Sequence, residues 1–243
     1  APLILVDRSV ASEKMIGEYI EKKLSDKGTV YLLGGSDVVT ERFEKSLKGI
    51  DVKRLAGDTR YETNLEILDE AKASKEDLLA CTGEGFADSL SASAVGKPIL
   101  LVDNRGLLEN QKTYLDKANV QDIYLIGGAD VVSDKVGKEL KSYDKDSKTE
   151  RIAGDNRYKT SVAVAKAFFP DKCDTAVLAY GMKFPDGLAG GPLAISMGSP
   201  LLLVEDTAYA DAKAYSQKTG INKLVVLGDT GVISDRTARA FFQ

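Results

Sequence analysis

The chain repeats itself, and no other feature limits its possible folds as strongly. "RLAGDTRYET", which opens at Arg54, returns as "RIAGDNRYKT" at Arg151. "LLGGSDVVT" from Leu32 returns as "LIGGADVVS" from Leu125 and "VLGDTGVIS" from Val226. "APLILVD" from Ala1, "KPILLVD" from Lys97 and "SPLLLVE" from Ser199 form a third set. "FADSLSASAVGKP" from Phe86 matches "FPDGLAGGPLAISMGSP" from Phe184. The blocks keep one order throughout. Such self-similarity marks a supersecondary unit that cannot bury its apolar face alone and stacks on its neighbours. The repeats divide the chain into a partial first unit over residues 1–50, a second over 51–149 and a third over 150–243.

Within one unit, short apolar runs alternate with helical patterns. "VKRLAG" reads as a strand, and Asp58 or Thr59 can cap a helix over "RYETNLEILDEAK" whose stripe is Leu65, Ile67, Leu68 and Ala71. "LLACTG" is a second strand, "FADSLSASAVG" a short helix, "PILLVD" a third strand, "GLLENQKTYLDKA" a helix and "DIYLIGG" a fourth strand. Ser133 then caps "DKVGKELKSY", as Thr40 and Ser234 do in the other copies, with an acid at the first helical position where the helix dipole favours it. The strands are continuous apolar runs rather than alternating ones, as in a parallel sheet covered on both faces. The expected fold is α/β, with tandem units of a mostly parallel sheet covered by helices. Each "PILL" strand is expected to be buried, its proline sitting at the tolerated first position.

Composition excludes several chemistries. The chain has 243 residues and no histidine, so it can form no histidine-based triad, base or metal site. Cys81 and Cys173 form no CxxC pair, which argues against zinc and leaves a disulfide open. The net charge of -4 and the absence of a like-charge block give no nucleic-acid footprint. No run reaches the ~18 apolar residues of a membrane span. No cofactor is implied. The chain begins inside a strand-like run, so it reads as a mature or clipped fragment of a longer protein. Further upstream sequence with another "RxxGxxRY" copy is expected in the parent gene.

Three motifs could carry function. The "LLGG" turn resembles a phosphate cradle but fits no nucleotide-binding pattern, and tight-turn geometry accounts for it. The "RxAGDxRYxT" motif places Arg54, Arg60 and Tyr61, and again Arg151, Arg157 and Tyr158, around a strand-to-helix turn. One reading is architectural: Arg60 and Arg157 bridge carboxylates between units, with Gly57 and Gly154 in left-handed turns. The other is contact with a polyanion or sugar phosphate, because arginine forks match phosphate and tyrosine stacks on sugars. Asp88 and Asp186 start the short helices, either as plain helix-start acids or as acceptors for sugar hydroxyls or the motif arginines. They lack the second, fixed carboxylate that glycoside hydrolysis needs.

In this order, "RxxGxxRYxT", "F-[AP]-D-x-L", "P-[IL]-L-L-V" and "[LV]-G-[GD]…V-[VI]-[ST]" resemble the type-2 cell-wall-binding repeat over nearly the whole chain. That resemblance implies a non-catalytic module, secreted to the Gram-positive cell wall or S-layer, in which three similar units sit with pseudo-threefold symmetry. It implies non-covalent, multivalent anchoring to an anionic, teichoic-acid-like secondary wall polymer. It also implies an anchoring role for the "PILL" strands, here Pro2, Leu3, Ile4 and Leu5; Pro98, Ile99, Leu100 and Leu101; and Pro200, Leu201, Leu202 and Leu203. The departures are the missing front half of the first unit, "FADSL" without its proline, and "LGDTG" in place of "GG". Other S-layer subunits or an upstream segment are the expected partners completing the first unit. The competing readings are a structural S-layer lattice module and a fragment of a wall hydrolase.

Overall fold

The computed structural model describes residues 1–73, 76–145 and 148–243. It separates into two compact units, Ile4–Ala73 and the remainder. All strand pairing in the sheets is parallel.

In the smaller unit, helix α1 (Val10–Lys23) precedes β1 (Thr29–Leu33), α2 (Glu41–Ser46), β2 (Asp51–Leu55) and α3 (Arg60–Glu70). Strands β1 and β2 pair from Thr29↔Asp51 to Leu33↔Leu55. Ile16, Leu32, Phe43 and Leu47 form the core of this unit. The Thr40 hydroxyl accepts from Phe43 N–H and caps α2. Thr59 and Glu62 form a reciprocal capping box on α3. The buried stripe of α3 is Tyr61, Leu65 and Leu68; Ile67 is half-buried, and Ala71, expected in the stripe, is the exposed C-cap.

Residues Pro2–Leu5 do not form the strand expected of them. In the two later copies this strand exists by pairing with a central strand, as Leu79 pairs with Ile99 and Val177 with Leu201. Residues 1–73 contain no counterpart of that central strand, so the run has no ladder to join, and Ile4 and Leu5 are exposed.

In the larger unit, β3 (Leu78–Thr82), α4 (Ala87–Ser93), β4 (Ile99–Val102), α5 (Glu109–Ala118), β5 (Ile123–Ile126) and α6 (Asp134–Lys141) follow in turn. Next come β6 (Glu150–Ile152), α7 (Arg157–Phe168), β7 (Thr175–Tyr180), α8 (Pro185–Ser196), β8 (Leu201–Val204), α9 (Ala210–Thr219), β9 (Lys223–Val226) and α10 (Asp235–Ala240). The sheets run in the orders β4-β3-β5-β6 and β8-β7-β9. The sheets are therefore out of phase with the sequence repeat. The "RLAG" and "RIAG" strands, which open a repeat in sequence, close the sheet built by the preceding repeat.

Helices α4 and α7 are wedged between the two larger sheets. Ala92 of α4 and Val164 of α7 pack with Leu79, Cys81, Ile126 and Ile152. On their other sides Leu90 and Ala94 pack with Val177 and Leu203, and Val162 and Ala165 pack with Leu178 and Leu202. Burial on both faces explains the small-residue sequence "SVAVAKAF" of α7, which has no polar face to spare. Helix α8 approaches α4 through Gly187 and Gly191. A Cβ on Gly191 would lie 2.2 Å from the Ser93 hydroxyl, and one on Gly187 would lie 2.8 Å from Leu90 Cδ1.

The two later "PILL" runs, β4 and β8, are sheet edges, and a buried side chain engages one backbone group on each. Gln111, fully buried, donates from Nε2 to Leu101 O at 2.6 Å. On β8 the Leu203 N–H donates to the buried Ser161 hydroxyl at 3.1 Å. These bonds partly occupy edges that would otherwise template pairing. Both cysteines are free thiols, and Cys81 is fully buried among apolar side chains, which raises its thiol pKa.

Leu100 is wholly buried, so Leu100→Ala should destabilise the protein by about 2–5 kcal/mol. Thermal melting checks this. A lower melting temperature is the expected outcome, and an unchanged melt would contradict it.

Candidate functional site

In open parallel sheets, ligands gather beyond the carboxyl ends of the strands. Most of the motif residues lie there. Each repeated motif has a local physical cause. Gly57 N–H donates to the Thr63 hydroxyl at 3.0 Å, and Gly154 N–H to the Thr160 hydroxyl at 3.1 Å. The final threonine of "RxAGDxRYxT" therefore folds the turn back onto its own helix. The glycines do not adopt the expected left-handed conformation. They are required by close approach: a Cβ on Gly57 would lie 2.3 Å from Glu62 Cβ, and one on Gly154 would lie 2.4 Å from Lys159 Cβ.

The first arginine of each motif is a clamp within the fold. Arg54 donates from Nη1 to Gly34 O at 2.7 Å, from Nη2 to Val39 O at 2.9 Å, and from Nε and Nη2 to Glu44. Arg151 donates from Nη1 to Gly127 O at 2.9 Å and from Nη2 to Asp134 at 3.1 Å. Four of the five donors of Arg54 are engaged, and what both arginines grip is the glycine turn at the end of the neighbouring strand.

The second arginine opens the helix. Arg60 is exposed at the first residue of α3. Arg157, its counterpart on α7, is half-buried and donates from Nη1 to Gly181 O at 2.7 Å. Its guanidinium carbon lies 5.4 Å from the centre of the Phe86 ring, a cation–π arrangement. Phe86 meets Phe184 edge-on, with centroids 5.9 Å apart. Phe184 is about half exposed, so the guanidinium sits beside an aromatic pair open to solvent. Neither aromatic ring was singled out from the sequence, although both head the paired "FAD" and "FPD" motifs.

Asp88 lies in the first turn of α4 and Asp186 in the first turn of α8. Each faces the glycine turn of its own sheet, since a Cβ on Gly127 would meet Asp88 Oδ2 at 2.6 Å and one on Gly228 would meet Asp186 Oδ2 at 3.0 Å. Burial and the neighbouring Asp130 push the Asp88 carboxyl up to about 6, against the opposing pull of Arg157. In the third copy the turn carboxylate is transposed: Asp229 and Gly231 stand where Gly128 and Asp130 stand in the second, and Asp229 accepts from Gly231 N–H at 2.8 Å.

The tyrosines are packed rather than offered as stacking platforms. Tyr61 is buried. Tyr158 is half-buried against the cluster of Leu90, Val177 and Ala179, and its ring occupies the space a Cβ on Gly181 would need. Burial, with the negative charge of Glu205 adding to it, raises the Tyr158 phenol to about 12. The buried strand residues Leu100, Leu201, Leu202 and Leu203 present no side-chain surface to a ligand. Among the described residues, no cluster of His, Cys, Asp or Glu could hold a metal ion, and no helix is long and apolar enough to cross a membrane.

Residues 54–137 and 151–238 match the family described as cell wall binding domain 2. The chain belongs to that family, and each match begins at the clamp arginine, Arg54 or Arg151. The chain is 32% identical over 189 residues to N-acetylmuramoyl-L-alanine amidase LytC of Bacillus subtilis, covering 76% of this chain and 37% of that protein. It is 29% identical over 231 residues to the amidase enhancer of the same organism, covering 93% of this chain and 30% of that protein. Among solved structures it is similar to Cwp8 from Clostridium difficile, with a TM-score of 0.87 and 26% identity over 99% of this chain and 42% of that one. Cwp6 from the same species shares the fold, with a TM-score of 0.82 and 21% identity over 99% of this chain and 39% of that one. The chain thus spans well under half the length of these relatives.

Asp88 carries a raised pKa in the folded state, so ionising it in place opposes folding. Its contribution to stability is full below its unfolded value of about 4 and lost as pH rises through about 6. Asp88→Asn should therefore melt higher than the wild type at pH 8 and at the same temperature near pH 4. Melting curves across that range test this, and a constant difference between the two proteins would contradict it.

Proposed function

We propose that this wall-binding chain is the non-catalytic anchoring part of a secreted surface protein and holds an anionic, teichoic-acid-like wall polymer by repeated weak contacts. One observation carries the reading: the Arg157 guanidinium lies over the Phe86 ring, which meets Phe184 edge-on, at the carboxyl ends of parallel strands. The cation suits a phosphate or carboxylate, and the half-exposed aromatic shelf suits the apolar face of a sugar ring. Arg60 occupies the matching place on α3. Local cations are necessary because the chain is net acidic and its bulk charge repels a polyanion. Weak sites on one chain gain avidity through effective concentration. The partial match to an amidase fits a shared binding region, with hydrolysis residing elsewhere in that protein.

Purified walls tested before and after acid extraction of the anionic polymer discriminate the readings. Retention should be lost with the polymer; equal retention on extracted walls would overturn the proposal in favour of a lattice or peptidoglycan contact. Arg60→Ala combined with Arg157→Ala should weaken retention and flatten its dependence on salt, which at 1 M shortens the screening length to about 3 Å. Phe184→Ala, at an exposed position, should lower retention about tenfold, or 1.4 kcal/mol, without shifting the melt. Retention unchanged in a well-folded double arginine variant would rule out the arginine contact.

A further inference from the structure

Between β4 and α5, the glycine at position 106 leaves open a point between two opposite charges. Its φ is +150°, and the place where a Cβ would stand lies 3.3 Å from Glu139 Oε1 and 3.3 Å from Lys135 Nζ. Both groups are held from other directions. Glu139 Oε2 accepts from Leu107 N–H at 3.0 Å, and Lys135 donates to Arg105 O at 2.7 Å. They line an open cleft of about 290 Å³ together with Asp103, Leu108 and Lys112. Asp103 is spent within the loop on the Arg105 guanidinium, 2.6 Å from Nη2. Lys112 gives one bond to Glu109 at 2.7 Å, and an ammonium carries three donors. The third repeat has no such place. Ala208 makes the backbone bridge to Glu205 that Gly106 makes to Asp103. Counted from the capping serines, Ala240 of α10 stands where Glu139 stands on α6.

We propose that this cleft binds a polyol phosphate, with one hydroxyl at the point left open by Gly106 and the phosphate at Lys112. The charges at that point select the hydroxyl. An atom placed between an ammonium and a carboxylate must accept from the first and donate to the second, and a hydroxyl does both. A phosphate oxygen there would be repelled by Glu139, and a ligand ammonium by Lys135. Lys112, on the same lining, supplies the cation for the phosphate, and Leu108, exposed beside it, offers an apolar wall to the carbon chain. The site is confined to the second repeat and stands apart from the Arg157 contact. It rests on the polymer reading for one source of its ligand, a phosphate-linked polyol of the wall; the other source is a free polyol phosphate.

The isotope-labelled protein should be titrated at constant ionic strength with glycerol 3-phosphate, inorganic phosphate and glycerol. Saturable amide shifts at Gly106, Leu107 and Leu108 are expected, with glycerol 3-phosphate binding at least about threefold more tightly than inorganic phosphate, as one added hydrogen-bonded hydroxyl requires. Lys112→Ala should weaken both anions about fivefold, as loss of a charge-assisted contact requires. Gly106→Ala, with its fold checked by melting, should abolish the preference for glycerol 3-phosphate. No shift in this loop at millimolar ligand, equal affinity for the two anions in the wild type, or unchanged affinity in Lys112→Ala would each overturn the proposal. Retention of Lys112→Ala on purified walls separates the sources: lower retention assigns the cleft to the wall polymer, and unchanged retention beside weakened glycerol 3-phosphate binding assigns it to a free polyol phosphate. Failure of the polymer reading on extracted walls would leave the cleft titration unchanged.

Discussion

A parallel sheet exposes backbone donors and acceptors at its margin, and at β1 and β5 those groups are met by the strand of the repeat that follows. Strand β2 closes the sheet begun by β1, and β6 closes the sheet of β3 and β5. Each closure ends in a reciprocal exchange at a glycine turn: a backbone bond from the glycine N–H to the incoming strand, and an arginine bond from that strand to the glycine carbonyl. The glycine is needed because φ near +108° is costly for any residue with a Cβ. The arginine is needed because a buried carbonyl without a donor costs about 1–3 kcal/mol. The most recognisable motif of the sequence is accordingly, in its first half, the lock that joins one repeat to the next.

The remainder of the larger unit follows from that interlocking. Since β6 has left its own repeat, helix α7 begins at one sheet and packs against both, and α4 does the same from the other side. Helices buried on two faces must be thin, and α4, α7 and α8 are rich in alanine, serine and glycine. This close approach brings Phe86, Phe184 and Arg157 to one place, although they come from different repeats. The candidate site is thus a consequence of the packing.

Much of the fold was legible because it rests on local rules. Continuous apolar runs such as "LLACT" became buried parallel strands, and Thr40, Ser133 and Ser234 cap their helices through hydroxyls that accept from Phe43, Val136 and Thr237. The run at Pro2–Leu5 did not become a strand, because strand formation depends on a neighbour that periodicity in one segment does not reveal. The left-handed reading of Gly57 and Gly154 failed for a related reason: a glycine before a helix can mark positive φ or close approach, and only the placement of Glu62 and Lys159 distinguishes them. The site was half legible. Arg157 and Asp88 stood out as charged residues in repeated motifs. The shelf of Phe86 and Phe184 did not, since apolar residues at helix starts ordinarily read as core.

The central claim is that the arginine clamp locks each incoming strand into the preceding sheet. Native-state hydrogen exchange at the Gly127 amide, compared between the wild type and Arg151→Ala, tests it most directly. The account predicts that removing the guanidinium lowers protection at Gly127 by at least about tenfold while amides of β7 in the neighbouring sheet keep theirs. Unchanged protection at Gly127 in the variant would contradict it.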